Sequence, residues 1–485
     1  MNRRKFLIQT ASGITAASAA ALSAADGAAI DSDEANDQPG AATAILIKDG
    51  VIVPMDGANR TLENQAVLIH GNRITAIDDA EKLKEEYSID KVIDASGMAI
   101  LPGFVNGHTH TADTALFRGI AEDMTPDEYG ELAIPLEVEI LTEEDINCFA
   151  RLGSIELLKS GNTCANELGL GPQEPTALAF EEAGVRGVLA PDVSDIAESG
   201  DGQPDAALKK ARFEEARRLL NKWHRNENSI LTVRVANYMP ILCTPETLLE
   251  SKALANEYGT GLNAHAGFGE GAQFHEKYGK SQMEYLADIG YLDENTALVH
   301  MLTTEAEEIA PLKETGTWII HCPFEMAKRG LSAPMDMMYK ANLNIALGSD
   351  WLMFDPFEQM RFAAVLARLD SGDMGVRKAY DFLEMATIKA AEAVGLGDQI
   401  GSLEVGKKAD VILVDFDQAH ISPMNRHYDL VTKLVYNAHG SDVRTVIVDG
   451  NIVVENGEIN TVDEGKIIAE ANRRSDDALT KRFSM

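Results

Sequence analysis

The sequence has little cysteine. Its four cysteines, Cys148, Cys164, Cys243 and Cys322, are scattered over 485 residues, and no two of them form a Cys-x-x-Cys pair. This spacing excludes a zinc ribbon and does not indicate a disulfide framework, so we expect buried free thiols.

Positive charge is also scarce. Lysine and arginine together number 43 against 77 aspartates and glutamates, which gives a net charge of -34. Such an excess of acid disfavours nucleic acid and anionic membranes as partners. It favours a neutral or cationic small-molecule substrate over a polyanion. No segment after the N-terminal stretch is long and apolar enough to span a membrane.

The first 25 residues predict a twin-arginine signal peptide. Arg3 and Arg4 precede a weakly apolar stretch rich in small residues, and the residues around Ala25 suit cleavage by a signal peptidase. The alternative is a disordered basic tail. An acidic linker would follow at 26–43. The sequence thus predicts a periplasmic or extracellular protein that has no membrane insertion after signal removal.

Short apolar runs separated by turn residues occupy both ends of the remaining chain. They lie within 44–97 and again within 398–460, and residues such as Asp49-Gly50 and Asp449-Gly450 mark the turns. Neither set completes a sheet alone. We therefore expect a small β-sandwich built from both ends of the chain, followed by a C-terminal helical tail at 461–485.

Strands and amphipathic helices alternate between these halves, over 98–397. The predicted strands are Met98 to Val105, Thr163 to Asn166, Gly187 to Pro191, Ile230 to Val235, Gly261 to His265, Thr296 to His300, Thr317 to His321 and Asn344 to Gly348. Eight strands with intervening helices predict an α/β fold with a catalytic (β/α)8 TIM-like barrel. A doubly wound open sheet is disfavoured, because no Gly-x-Gly-x-x-Gly follows the first strand.

Metal-ligating side chains follow the ends of several predicted strands. His108 and His110 follow the first strand, His265, His300 and His321 end the fifth, sixth and seventh, and Asp350 follows the eighth. The C-terminal strand ends of a barrel form one mouth, so these side chains should converge. Three imidazoles and a carboxylate suit one divalent metal, above all Zn²⁺ but also Fe²⁺ or Mn²⁺, with a position left open for water.

The ordered motifs resemble those of the amidohydrolase superfamily, and especially its group of atrazine/triazine chlorohydrolases and S-adenosylhomocysteine/methylthioadenosine deaminases. The matching motifs are Pro102-Gly-Phe-Val-Asn-Gly-His-Thr-His110, Leu116-Phe-Arg-Gly119, Ala264-His265, Val299-His300, His321-Cys-Pro323, Ala346-Leu-Gly-Ser-Asp350 and Gly401-Ser-Leu-Glu-Val-Gly-Lys-Lys-Ala-Asp410. The resemblance implies that His108, His110, His265 and Asp350 hold the metal. It also implies that Asp350 accepts a proton from the attacking water and that His300 polarises the leaving-group side or orients the nucleophile.

One subtype feature and two departures from the family's pattern define the expected site further. Binuclear members carry a lysine at the end of the fourth strand, and 230–239 contains none, so one metal is expected. Deaminating members carry a glutamate three residues after the fifth-strand histidine, where this chain has Phe268. Glu270, two residues further on, is either its catalytic replacement or a solvated loop residue. The segment after His321 is altered as well, and both changes fall where the family contacts substrate.

The resulting prediction is a metal-dependent hydrolase that acts on a C–N bond, other than a peptide bond, of a small cyclic or heteroaromatic substrate. Asp350, His300 and Glu270 are its candidate catalytic residues, and His321, Phe268 and Trp351 its candidate substrate-binding residues; Trp351 either walls the pocket or packs in the core. The rival is an exported member of the same fold that binds a metal or ligand without catalysis. A homo-oligomer is possible in either case.

Overall fold

A computed structural model describes residues 43–169, 171–197, 202–351 and 353–484. The predicted signal peptide (1–25) and all but the last residue of the predicted linker (26–43) lie outside these ranges. Within them, no helix combines the length and the apolar character needed to cross a bilayer.

Most of the strands are short and buried. They are β1 (Ala44–Lys48), β2 (Val51–Ile52), β3 (Ala66–His70), β4 (Arg73–Asp78), β5 (Lys91–Asp94), β6 (Met98–Pro102), β7 (Phe104–Thr109), β8 (Asn162–Gly169), β9 (Arg186–Pro191), β10 (Leu231–Val233), β11 (Val235–Asn237), β12 (Leu262–Ala266), β13 (Thr296–His300), β14 (Trp318–His321), β15 (Asn344–Leu347), β16 (Val411–Asp415), β17 (Val443–Val448), β18 (Asn451–Glu455) and β19 (Glu458–Ile459).

Most of the helices lie between the strands of the middle region. They are α1 (Ala80–Glu86), α2 (Thr111–Phe117), α3 (Pro126–Pro135), α4 (Glu143–Lys159), α5 (Glu174–Ala183), α6 (Ala206–Trp223), α7 (Pro245–Tyr258), α8 (Gly271–Tyr278), α9 (Gln282–Asp288), α10 (Ile309–Thr315), α11 (Pro323–Lys328), α12 (Met335–Lys340), α13 (Pro356–Ser371), α14 (Ala379–Met385), α15 (Ile388–Ala393), α16 (Leu430–Asn437) and α17 (Glu464–Ser484). Several begin at a side-chain cap. Thr142, for example, accepts a hydrogen bond from the backbone N–H of Asp145 and starts α4.

Two sheets are built from the ends of the chain. One has the strand order β4-β3-β1-β5, and the other has the order β19-β18-β17-β16-β6-β2. The second sheet joins strands from both ends, as predicted. Apolar side chains of the two sheets, such as Ile47 and Val411, belong to one buried cluster. The arrangement of the two sheets as a sandwich stays a prediction.

The predicted strand from Met98 to Val105 is two strands, and the single-strand prediction is wrong. Residues Met98–Pro102 pair antiparallel with β16 in the six-stranded sheet, whereas Phe104–Thr109 pair in parallel with β8. The chain passes from one sheet to the other at Gly103, where a Cβ atom would lie only 2.1 Å from Oγ1 of Thr163. Both strands are buried, so the residues on either side of the break are apolar. The sequence therefore shows one continuous apolar run and no sign of the break.

The middle of the chain forms two parallel sheets, with the orders β10-β9-β8-β7 and β11-β12-β13-β14-β15. They contain the predicted strands apart from Met98–Pro102: β7 takes the first place, and the fourth predicted strand is interrupted at Arg234 to give β10 and β11. Backbone bridges join the sheets at both edges, between Asp192 and Ala236 and between Thr109 and Asp350. The second bridge places the residues after β15 beside the end of β7.

A buried ion pair connects these parallel strands to the six-stranded sheet. Arg186 of β9 donates hydrogen bonds of 2.8 Å through Nε and Nη2 to the two carboxylate oxygens of Asp410. Its Nη2 also lies 3.0 Å from a carboxylate oxygen of Asp449. Two N–H donors on one carboxylate fix both distance and orientation, so this contact sets how β9 and β16 lie relative to each other.

The predicted C-terminal helical tail forms α17. It packs along α4, where Arg474 contacts Asp145 at 2.7 Å and Glu464 contacts Lys159 at 2.9 Å.

Candidate metal centre

Five buried side chains converge at the C-terminal ends of the parallel strands. His108 lies in β7 and His110 directly follows it; His265 lies in β12, His300 ends β13, and Asp350 follows β15. All five are 6% exposed or less. The predicted convergence of strand-end residues is therefore observed.

Their polar atoms are within a few ångströms of one another. Nε2 of His108 lies 3.2 Å from Nε2 of His265. Oδ1 of Asp350 lies 3.4 Å from Nε2 of both His108 and His110, and Oδ2 lies 3.9 Å from Nε2 of His300. Two overlapping triads have ligand-atom spacings suited to a metal ion: His108 with His265 and His300, and His108 with His110 and Asp350.

The charge states of these groups also suit a cation. Burial, with help from the neighbouring imidazoles, lowers the pKa of His110 to about 3 and that of His265 well below its ordinary value. Burial lowers the pKa of His300 to about 3. Burial alone would raise the pKa of Asp350, but His300, His108 and His110 outweigh it and hold that pKa well below its usual range. Neutral imidazoles and an ionised carboxylate offer lone pairs in a dry place, which is the donor set of a divalent metal.

The ring of His265 is oriented by a backbone carbonyl. Its Nδ1 lies 2.9 Å from the carbonyl oxygen of Tyr238. This contact places the ring proton on Nδ1 and leaves the Nε2 lone pair facing the other imidazoles, as in many metal-ligating histidines.

Backbone hydrogen bonds fix Asp350 beside β7. The amide N–H groups of Ser349 and Asp350 both donate to the carbonyl of His108, at 3.0 and 2.9 Å. The side-chain oxygen of Asn106 accepts a further bond of 3.0 Å from the amide of Ser349. This close approach needs Gly107, because a Cβ atom there would lie 2.7 Å from the carbonyl oxygen of Leu347.

Two of the site residues have unusual backbone geometry. His300 has φ 79° and Asp350 has φ 60°, both in the left-handed region. Such a conformation costs about 1–3 kcal/mol for a non-glycine residue and persists only when its surroundings impose it. Gly267, with φ 63°, passes so close to Met301 that a Cβ atom would lie 2.9 Å from its Cα. The loops that carry the site are therefore tightly constrained.

Phe268 contacts the centre directly, whereas Glu270 is bound to its own loop. The Phe268 ring meets that of His300 edge to face, with centroids 5.2 Å apart. The carboxylate of Glu270 is 1% exposed and accepts hydrogen bonds from the amides of Gly267 and Phe268, at 2.9 and 2.8 Å. Burial raises its pKa. Glu270 is thus not a solvated loop residue, and its catalytic role stays a prediction.

Trp351 and His321 lie beside the same centre. The Trp351 ring is 5.9 Å from that of His110 and 4.3 Å from that of Tyr129. His321 ends β14 and is 1% exposed; neither of its ring nitrogens has a hydrogen-bond partner in the part of the chain that is described. Burial lowers its pKa to about 4. Substrate binding by Trp351 and His321 stays a prediction.

Sequence reasoning missed two charged residues near the centre, Glu325 and Arg329. Glu325 is fully buried in α11, and its Oε1 accepts a 2.7 Å hydrogen bond from Nε of Arg329. The guanidinium of Arg329 lies 5.7 Å from the ring centroid of Trp351. Their spacing of four residues directly after the seventh strand was the available signal, since helical residues at i and i+4 are neighbours.

A pair of carboxyl groups was also missed. Glu167, at the end of β8, accepts hydrogen bonds from the amide and hydroxyl of Thr111, at 2.9 and 2.6 Å. Burial raises the pKa of Glu167 to about 8 and that of Asp113 to about 7.

Comparison with known proteins gives consistent matches over nearly the whole described chain. Residues 99–453 match the amidohydrolase family. A 5-methylthioadenosine/S-adenosylhomocysteine deaminase of Thermoanaerobacter pseudethanolicus is 34% identical over 445 residues, which cover 90% of this chain and 100% of that protein.

Two zinc-bound crystal structures are also similar. An adenosine deaminase from Xanthomonas campestris is 26% identical with a TM-score of 0.82, covering 90% of this chain and 98% of that one. The atrazine chlorohydrolase of Arthrobacter aurescens TC1 is 23% identical with a TM-score of 0.81, covering 89% and 100%. The predicted resemblance is confirmed, and the fold shared with these structures includes the predicted (β/α)8 barrel.

Proposed function

The chain belongs to the amidohydrolase family, and on that premise we propose that it hydrolyses a C–N bond, other than a peptide bond, of a small heteroaromatic substrate. Release of ammonia or an amine is the expected outcome, and release of chloride from a chlorinated ring is the related alternative. The observation that carries the proposal is the convergence of His108, His110, His265 and His300 on the Asp350 carboxylate in a buried place. The similarity to a deaminase of adenosine-type compounds supports this chemistry.

We propose that His108, His110, His265 and Asp350 hold one divalent metal, with Zn²⁺ the first candidate. Zinc is present in the similar structures of an adenosine deaminase and a chlorohydrolase. A bound zinc ion would lower the pKa of a coordinated water to about 7 and so supply a nucleophile at neutral pH.

Asp350 would move the proton. Its Oδ1 is the oxygen closest to the imidazoles of His108 and His110, whereas Oδ2 faces His300 across 3.9 Å. Oδ2 is therefore the atom that would accept the proton of the attacking water and pass it to the leaving group. His300 would donate a hydrogen bond to the group on which negative charge develops, as the neutral imidazole that burial favours.

The remaining predicted residues would shape the pocket. Phe268 and Trp351 place aromatic rings against His300 and His110, which suits a flat ring as substrate. His321 would offer its ring nitrogens to polar atoms of that ring. Glu270 would supply a proton to a ring nitrogen only if its carboxyl leaves the amides of Gly267 and Phe268.

Ammonia release tests the proposal. The zinc-loaded protein is incubated with a panel of amino-purines, adenosine-type nucleosides, aminopyrimidines and aminotriazines, and chloride is measured for chlorotriazines. We expect at least one substrate class to release ammonia, with kcat lowered about 10²–10⁴-fold in Asp350→Asn. A protein that binds one zinc per chain but turns over no member of the panel would instead favour the rival, a non-catalytic ligand-binding protein.

We also propose that the protein is exported by the twin-arginine route. The basis is the sequence at Arg3 and Arg4 and the small-residue stretch that follows. Replacing both arginines by lysine should retain the protein in the cytoplasm, and unchanged export of that variant would contradict the proposal.

A further inference from the structure

Helix α11 places a compact group of charges beside the candidate metal centre. Both Nε and Nη2 of Arg329 lie 2.7 Å from Oε1 of Glu325. The Nζ of Lys328 lies 2.8 Å from Oε2 of the same carboxylate. Two cations thus share one carboxylate, and the group as a whole is positively charged.

The Arg329 guanidinium lies beside the candidate metal centre. It lies 5.7 Å from the ring of Trp351, the residue that directly follows Asp350. The Trp351 ring in turn lies 5.9 Å from that of His110. One aromatic side chain therefore separates this charge from the centre.

Part of this guanidinium remains available. The Arg329 side chain is 25% exposed, whereas that of Glu325 is fully buried. The hydrogen bond to Glu325 uses Nε, and no described residue accepts a hydrogen bond from Nη1. Glu325 therefore holds the guanidinium in one orientation and leaves N–H donors on its far side.

The other carboxylates of these loops already have partners of their own. Glu270 is bound by two backbone amides, and Glu325 by two cations. The side chain that faces His300 from the loop after β12 is Phe268, which carries no charge. A positive group beside the centre of a chain with a net charge of -34 is not a consequence of overall composition, and burying its carboxylate has a desolvation cost.

We propose that Arg329 binds a carboxylate substituent of the substrate, so that the substrate class is a heteroaromatic ring that carries a carboxylate. The guanidinium is planar and its N–H groups match a carboxylate in a paired geometry, and the Trp351 ring lies beside it. The identification of this ligand as a substrate rests on the proposed function. The existence of the anion site does not depend on that function.

Isothermal titration calorimetry with two isosteric probes tests the proposal on the zinc-loaded full chain. Nicotinate and nicotinamide share a six-membered ring and differ in carrying a carboxylate or a carboxamide. We expect nicotinate to bind about tenfold more tightly or better, the size of one charge-assisted hydrogen bond. Arg329→Gln should bind nicotinate and nicotinamide about equally, and Arg329→Lys should recover part of the preference for nicotinate.

Arg368→Gln is the matched control. Arg368 lies over the ring of Tyr436 at 5.2 Å and so resembles Arg329 in its aromatic contact, but it belongs to α13. This variant should keep the full preference for nicotinate. Equal binding of the two probes to the wild-type chain would overturn the proposal. So would a preference that survives in Arg329→Gln, because the metal would then hold the anion.

The two proposals fail separately. In one outcome, Arg329→Gln loses the preference for nicotinate, but the wild-type protein deaminates no compound of the panel. This outcome supports the anion site and contradicts the proposed hydrolase activity. In the other outcome, the protein releases ammonia only from uncharged substrates and binds nicotinate and nicotinamide equally. This outcome supports the hydrolase activity and contradicts the proposed role of Arg329.

Discussion

The Nε2 atoms of His108 and His265 face each other across 3.2 Å. The Nδ1 atom of His265 is held at 2.9 Å from the carbonyl of Tyr238, so its proton sits there and its Nε2 carries a lone pair. Two neutral imidazoles can share this distance only through a proton or a cation between them. With His110 and Asp350 completing the group, a divalent metal satisfies all of these atoms at once.

Metal removal should therefore affect both activity and stability. We expect dialysis against a chelator to abolish turnover and to lower the melting temperature, because the ligands are buried and lose their shared partner. Elemental analysis of the untreated protein should give one metal per chain, and added zinc should restore both properties. A content of two metals per chain would contradict the single-metal centre, as would full activity after exhaustive chelation.

Asp350→Asn should separate proton transfer from folding. Asparagine keeps the size of the side chain and can still ligate weakly through oxygen, but it accepts no proton. We expect kcat to fall by about 10²–10⁴-fold, the usual contribution of a positioned acid–base group, while elemental analysis still finds bound metal.

Asp355→Asn is the control for that variant. Asp355 begins α13 and accepts hydrogen bonds from the amides of Phe357 and Gly440, outside the candidate centre. Because asparagine caps a helix about as well as aspartate, Asp355→Asn should change stability little and leave kcat unchanged. Wild-type turnover in Asp350→Asn would rule out the proposed proton acceptor.

The convergence of these side chains was predictable because each one ends or closely follows an apolar strand pattern. His265 and His300 end such patterns, and a barrel brings all such positions to one mouth. The break at Gly103 was not predictable, since Met98–Pro102 and Phe104–Thr109 are both buried and read as one apolar run. Burial is a tertiary property, and the sequence pattern of a strand does not say which sheet it enters.

The charged group on α11 was missed for a similar reason. Glu325 and Arg329 are ordinary helical neighbours in sequence, and pairs at this spacing are common on exposed helix surfaces. The pair lies near the candidate centre only because the chain after β14 brings Arg329 over the ring of Trp351. The environment of Glu270 was only partly predictable. Its two hydrogen bonds to backbone amides depend on a tight turn at Gly267, which the glycines of this loop suggest but do not specify.

Glu270→Gln should show whether that carboxylate acts on the loop or on the substrate. Loss of its charge weakens two buried hydrogen bonds, so we expect a loss of about 1–3 kcal/mol in stability and less than a tenfold change in kcat. Glu276→Gln, on the exposed face of α8, should change neither. A fall in kcat of a hundredfold or more with an unchanged KM would instead establish Glu270 as the proton donor.

Stability should depend on pH through the carboxyl pair of Glu167 and Asp113. Burial raises their pKa values to about 8 and about 7, so the folded chain keeps protons that the unfolded chain releases near pH 4–5. Their contribution is fully present below that pH and is lost as the pH rises to about 8. Each retained proton accounts for at most about 1.4 kcal/mol per pH unit.

Glu167→Gln removes one of these protons. The melting temperature of the variant relative to the wild-type chain should rise steadily between pH 5 and pH 8. Glu128→Gln is the control, because hydrogen bonds from Thr125 lower the pKa of Glu128 and place its titration below this range. A difference between Glu167→Gln and wild type that stays constant with pH would show that Glu167 is ionised throughout.

Replacing Arg186 should destabilise the junction between β9 and the six-stranded sheet. The side chains of Arg186 and Asp410 are 6% and 1% exposed. Arg186→Met keeps the apolar volume of the side chain but leaves the Asp410 carboxylate buried without its cation. Because an uncompensated buried charge is costly, we expect a loss of about 3–5 kcal/mol, measured as a shift of the urea midpoint.

Arg217→Met is the matched control for this contact. Arg217 pairs with Glu257 at 2.8 Å, but the two side chains are 45% and 53% exposed, and water replaces a lost partner at such a site. Its loss should change stability by no more than about 1 kcal/mol. If the two variants unfold at the same urea concentration, the contact between Arg186 and Asp410 does not determine how β9 and β16 are held together.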